Sequence, residues 1–194
     1  HVGVRTDWDK LDVTLMRSEK PCTAAAVFTS NTLKAAPVLV TQAHLADGRA
    51  QAVVVNAGCA NAATGKQGIE NAVKMAQLAA AKLGLDPHDV VVSSTGVIGV
   101  QLPMDRIAAG IEKIALTPDG GVDFAKAIMT TDTVPKYVTV RCGNWSIGGA
   151  VKGVGMIHPN MATMLGFVAT DAAVAHPFLA SALKQAVDVS FNMI

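Results

Sequence analysis

Short β-rich runs alternate along this chain with segments of helical spacing, and that alternation limits the folds open to it. Residues 12–16, 24–28, 38–40, 52–55, 90–93, 138–141, 146–151 and 166–169 read as strands. Between them Ile69, Val73, Ala76, Ala80 and Leu83 recur at three- and four-residue steps, with Gly84 and Pro87 supplying a stop. A second helix is expected over 104–114, where Ile107, Ile111 and Ile114 share one face, and a third after Pro177 through Leu179, Leu183 and Val187. Strands alternating with helices imply layered α/β packing, and so many short strands argue against a purely parallel sheet. Periodicity alone does not separate this from a doubly wound arrangement.

Composition narrows the function classes. Hydrophobic residues make up 51% of the 194, yet no run approaches the roughly 18 uninterrupted apolar residues of a membrane span. The excess is Ala and Val, with aromatics at 4%, so the core should be built from small, closely approaching elements. Sixteen Lys and Arg against fifteen Asp and Glu leave no electrostatic footprint for nucleic acid or an anionic membrane. Cys22, Cys59 and Cys142 are far apart and odd in number, which favours reduced, buried thiols of a cytosolic protein over a disulfide framework or zinc site. No two histidines stand at i,i+4 around a Glu, so a hydrolytic metal site is not expected; no cofactor is expected either. Glycines gather at strand ends (Gly58, Gly96, Gly153, Gly155) without forming a phosphate-binding motif. By length the chain is one domain or two. It opens at His1 without a signal-peptide pattern and stops at Ile194 without a polar tail, so it is expected to be a piece of a longer protein.

One octapeptide carries candidate chemistry: Asn160-Met161-Ala162-Thr163-Met164-Leu165-Gly166-Phe167. A threonine inside a chain is a poor nucleophile, because its hydroxyl has no built-in base. Breaking the Ala162–Thr163 bond would give Thr163 an α-amine with a pKa of about 8, able to take the proton from its own hydroxyl. A Thr flanked by Met, Ala and Leu is more often an ordinary buried residue, so the reading depends on its company.

That company is specific. Phe28-Thr29-Ser30-Asn31 is followed by Lys34-Ala35-Ala36-Pro37-Val38, then Asn56-Ala57-Gly58-Cys59-Ala60-Asn61-Ala62-Ala63-Thr64-Gly65, then Ser93-Ser94-Thr95-Gly96-Val97-Ile98-Gly99. Ile128-Met129-Thr130-Thr131-Asp132-Thr133-Val134-Pro135-Lys136 precedes Lys152-Gly153-Val154-Gly155 and the octapeptide. In this order, from about Pro21 to the last residue, the blocks resemble the ornithine acetyltransferase family, also called glutamate N-acetyltransferases.

The resemblance implies a mixed α/β (α+β) fold with a four-layer α-β-β-α arrangement, of which this chain is a truncated part. It implies self-cleavage into an α chain, residues 1–162, and a β chain of which residues 163–194 are the beginning, the two forming a hetero-oligomer. The implied activity moves acetyl from N2-acetyl-L-ornithine to L-glutamate through acetyl-Thr163, in arginine biosynthesis. Some members also take acetyl from acetyl-CoA. Thr163 would be the nucleophile; Thr95 and Gly96 would hold the oxyanion, where losing one donor costs roughly 3–4 kcal/mol. Thr130 and Lys152 would bind substrate together with Thr163, although Thr131 is equivalent to Thr130 by sequence. A Lys at the end of an apolar run supplies a point charge suited to a carboxylate. Location would be the cytoplasm, or the mitochondrial matrix in a eukaryote.

Two rivals stay open: an aminopeptidase or amidase with the same nucleophile and water as acceptor, and an uncleaved, non-catalytic binding protein. In the latter, Ser93 to Gly96 would be only a turn after a buried strand. Cys59, Ala63 and His158 depart from the residues common in the family, but none replaces a group to which the family assigns catalysis. His158 precedes Pro159 and is expected to have no role as a base.

Overall fold

The structure, a computed structural model, describes residues 1–6, 10–155 and 163–194. Its first sheet contains β1 (Val13–Thr23), β2 (Arg49–Cys59) and β3 (Val90–Val97) in the order β1-β2-β3. β1 and β2 are antiparallel, whereas β2 and β3 are parallel. A parallel pair needs a crossover, here supplied by α2 (Gly65–Leu83). The second sheet is an antiparallel meander of β4 (Lys136–Cys142), β5 (Trp145–Lys152) and β6 (Leu165–Thr170). The remaining helices are α1 (Ala36–His44), α3 (Met104–Lys113), α4 (Gly121–Ala127) and α5 (His176–Asp188). This is the mixed α/β class that the alternation implied.

The two faces of β2 explain the layers. Ala52 and Val54 point to one side and pack with Ala72, Met75, Ala76, Ala79 and Ala80 of α2 and with Ile107 and Ile111 of α3. Val53 and Val55 point to the other side, as a two-residue period requires. The alanine-rich seam of α2 brings helix and sheet close together, and each of those five residues is at most 1% exposed. Gly84, at φ +68°, ends the helix as a left-handed cap, its N–H bonded to the Ala80 carbonyl.

A smaller cluster joins the two sheets. Phe124 of α4 and Ile128 just beyond it are buried with Val55, against Met16, Ala150, Leu165 and Phe167. The Phe124 and Phe167 rings meet edge to face at 5.2 Å. Helix α4 was not anticipated, since seven residues are too few for periodicity to declare itself.

Two expected strands are not strands. Residues 38–40 lie inside α1, which Pro37 starts from its first turn. The Val-Leu-Val run is helical there because Thr41 ties the helix to the edge of β3. Its hydroxyl donates to Val92 O (2.7 Å) and accepts from Val92 N (3.1 Å), while His44 Nδ1 lies 2.8 Å from Val90 O. The helix thereby covers an edge that would otherwise invite pairing. Residues 24–28 form no regular element; Ala24 N bonds Gly48 O and the chain then leaves the sheet. Of the three thiols expected to be buried, only Cys59 is. Cys22 is exposed on β1 and Cys142 partly so at the end of β4.

Candidate active site

A broad cleft of about 2730 Å³ is bordered by both sheets and by parts of α1, α3 and α5, and its walls include Thr95, Gly96, Thr130, Lys152 and Thr163. A space this large joins residues only loosely, and strand register locates them more closely. On β3, Val90 and Val92 face the helices, so Val91, Ser93 and Thr95 face the cleft. On β5, Ala150 belongs to the inter-sheet cluster, and Lys152, two residues on, shares its side. Lys152 pairs with Leu165 and Val151 with Gly166, so Thr163 stands two residues before the partner of Lys152.

At Thr95 and Gly96 the β2–β3 ladder loses its register. Gly96 faces Gly58, and the shift falls between Gly58 and Cys59. Both glycines have positive φ, +132° and +110°. A Cβ on Gly96 would sit 2.6 Å from Gly58 O and 2.7 Å from Cys59 N, so only glycine permits this backbone approach. Gly58 in turn lies against the segment before β1, where a Cβ would come 2.7 Å from Val4 O. Thr95 is 6% exposed. The register shift next to Thr95 and Gly96 is a local irregularity of the ladder among residues that line the cleft.

The segment before β1 is anchored by Asp12, whose buried carboxylate accepts from the backbone N–H of Val2, Val4 and Arg5. From there Arg5 donates to Met129 O (2.7 Å) and Thr130 O (3.0 Å). Arg5 thus connects the Gly58 shift to the loop carrying Thr130. Sequence reasoning missed Arg5 and Asp12, because both act from a stretch without periodicity on partners distant in the chain.

It also passed over Asp132, although the residue stands inside a quoted block. This buried carboxylate accepts from Gly153 N (3.0 Å) and Thr130 N (3.2 Å) and forms an ion pair with Lys136. Burial by itself raises its pKa, but the bonds from Lys136, Gly153 and Thr130 prevail and hold the carboxyl below the usual carboxylate range. Lys152 is 3% exposed. Desolvation pushes its ammonium below the ordinary lysine value; Asp132 opposes that shift and Lys136 adds to it. Thr130 is half-buried with its backbone fixed on both sides, while Thr131 is exposed.

Thr163 is half-buried, and its partner in the expected cleavage, Ala162, lies outside the described residues, as does His158. Among the described residues no group of three or more His, Cys, Asp or Glu could hold a metal ion. No described helix is long and apolar enough to cross a membrane.

Comparison with known proteins agrees along the whole chain. The model of the ArgJ family matches residues 1–194. The arginine biosynthesis bifunctional protein ArgJ of Symbiobacterium thermophilum is 56% identical over 191 residues, covering 95% of this chain and 48% of that protein. The ArgJ protein of Bacillus subtilis is 50% identical, covering all of this chain and 48% of its own length. The chain therefore spans about half the length of the curated relatives it matches. Among solved structures, ArgJ from Bacillus halodurans superposes with a TM-score of 0.77 at 44% identity, over 84% of this chain and 87% of that one. The ornithine acetyltransferase of Mycobacterium tuberculosis, solved with ornithine, gives 0.77 at 41% identity, over 84% and 89%. Identity at this level over nearly every residue, with the same fold, places the chain in the ArgJ family.

Proposed function

We propose that the protein to which this chain belongs is an acetyltransferase of arginine biosynthesis, moving acetyl from N2-acetyl-L-ornithine to L-glutamate. Self-cleavage between Ala162 and Thr163 frees the Thr163 amine, which takes the proton from the Thr163 hydroxyl as the oxygen attacks the acetyl carbonyl. The acetyl C–N bond breaks, ornithine leaves with the proton on its amine, and acetyl remains as an ester on Thr163. The amine of glutamate then attacks the ester, and the threonine oxygen recovers its proton. Thr95 and Gly96 hold the oxyanion in both steps; Lys152 and Thr130 bind the substrate. Residues 1–162 and the chain beginning at Thr163 remain associated as α and β chains. No cofactor is required, and acetyl-CoA is an alternative donor.

The observation that supports this reading is the pairing of Lys152 with Leu165, two residues after Thr163, with Lys152, Thr163 and Thr95 all lining one cleft. The test uses the full-length protein and its Thr163→Ala variant. Two bands on a denaturing gel for the parent and one for the variant, with N-acetylglutamate formed only by the parent, support it. Release of acetate without N-acetylglutamate assigns an amidase. A parent that stays uncut and inactive assigns a binding protein.

A further inference from the structure

The Lys152 side chain is buried, and its ammonium forms no hydrogen bond or ion pair among the described residues. What holds it is indirect. Gly153, the next residue, donates its N–H to Asp132 Oδ1 at 3.0 Å, and the same carboxylate accepts from Thr130 N at 3.2 Å. Asp132 therefore ties the end of β5 to the loop carrying Thr130, so that the two substrate-binding candidates share one anchor. Lys136, at the start of β4, closes the arrangement by pairing with Asp132 while its own side chain stays 40% exposed.

We propose that Asp132 is a positioning residue: its carboxylate, bonded to Gly153 N and Thr130 N, fixes Lys152 and Thr130 relative to one another and sets its negative charge at the end of β5, next to Lys152. The proposal rests on the substrate-binding reading of Lys152 given above. Among the described residues, two formal charges act on Lys152, and they oppose each other: Asp132 favours the ammonium and Lys136 disfavours it. Arg5 is engaged with the carbonyls of Met129 and Thr130. On α4, Asp123 and Lys126 pair with each other at the surface. Removing the Asp132 charge leaves, among the described residues, Lys136 as the formal charge that acts on this buried lysine. Removing the Lys136 charge leaves it with an anion whose charge is no longer shared.

The two substitutions should therefore act in opposite directions. In Asp132→Asn full-length protein, the alkaline limb of kcat/KM should fall at lower pH than in the parent, because an opposite charge favours the ammonium. In Lys136→Met it should move to higher pH. A purely structural Asp132 would lower activity without moving the limb. The lysine is also read directly: brief labelling with acetic anhydride across a pH series, with the Lys152 peptide quantified by mass spectrometry, gives the pH at which its amine becomes reactive. That midpoint should follow the same two directions. If the parent transfers no acetyl group, the functional reading fails, and the labelling midpoints alone decide the role of Asp132. If Asp132→Asn does not fold, Lys136→Met still tests it. Midpoints unmoved in the folded variants, or moved in the same direction by both, overturn the proposal.

Discussion

Replacing Gly96 by alanine tests the glycine-to-glycine approach on which the site is built. Two costs add. A non-glycine residue held at φ +132° is strained by on the order of 1–3 kcal/mol. Its Cβ would also stand 2.6 Å from Gly58 O and 2.7 Å from Cys59 N, and these are backbone atoms with no rotamer to yield. Overpacking of this kind costs about 1–3 kcal/mol more. The control is Gly84→Ala, at φ +68° with nothing within 4 Å of the new Cβ, which incurs only the conformational term of about 1–2 kcal/mol. Gly96→Ala should thus be the worse by about 1–4 kcal/mol. With a urea slope of roughly 2 kcal/mol per molar, its unfolding midpoint should fall about 0.5–2 M below that of Gly84→Ala. Equal midpoints would refute the close approach and with it the reason for a glycine beside Thr95.

Thr95→Ala should lower kcat by on the order of 10²-fold with little change in KM, as expected for an interaction made mainly in the transition state, and steady-state kinetics check it. Lys152→Met keeps the apolar volume and should raise the KM for both acetylornithine and glutamate, because one contact serves two carboxylates in turn. Normal values for both would remove the role. Thr41→Val leaves the buried N–H and carbonyl of Val92 without their partner and should cost about 2 kcal/mol in urea unfolding. Asp132 has a folded-state pKa below its unfolded value, so its stabilisation is complete above the unfolded pKa of about 4 and is lost as pH falls through the folded value. Acid titration followed by circular dichroism should accordingly show Asp132→Asn less sensitive than the parent to pH below about 4.

Local patterns were enough wherever one face of an element meets one kind of neighbour. The three- and four-residue recurrence from Ile69 to Leu83 and the stop at Gly84 marked α2, and the same spacing marked α3 and α5. The strands β1 to β6 were found in part, each extending beyond its apolar centre. Ordered blocks of residues were enough to nominate Thr95, Gly96, Thr130, Lys152 and Thr163. The sequence by itself therefore determined the type of most elements and the family, and it nominated the candidate groups.

Only the tertiary structure decided the rest, and the reason is the same in each case: the partner is far along the chain. Residues 38–40 are helical because Thr41 meets Val92, 51 positions away. Seven residues from Gly121 become a helix because Phe124 can pack against Phe167. Gly96 is required by the backbone of Gly58 rather than by a turn, which no local pattern at Gly96 declares. Arg5 reaches Thr130 across 125 positions, and Asp132 earns its place by accepting from Gly153 at a separation of 21. A local pattern records which side of an element is apolar. The position of a single charge or a single glycine follows from what the fold brings against it, and that is encoded only in the sum of the packing.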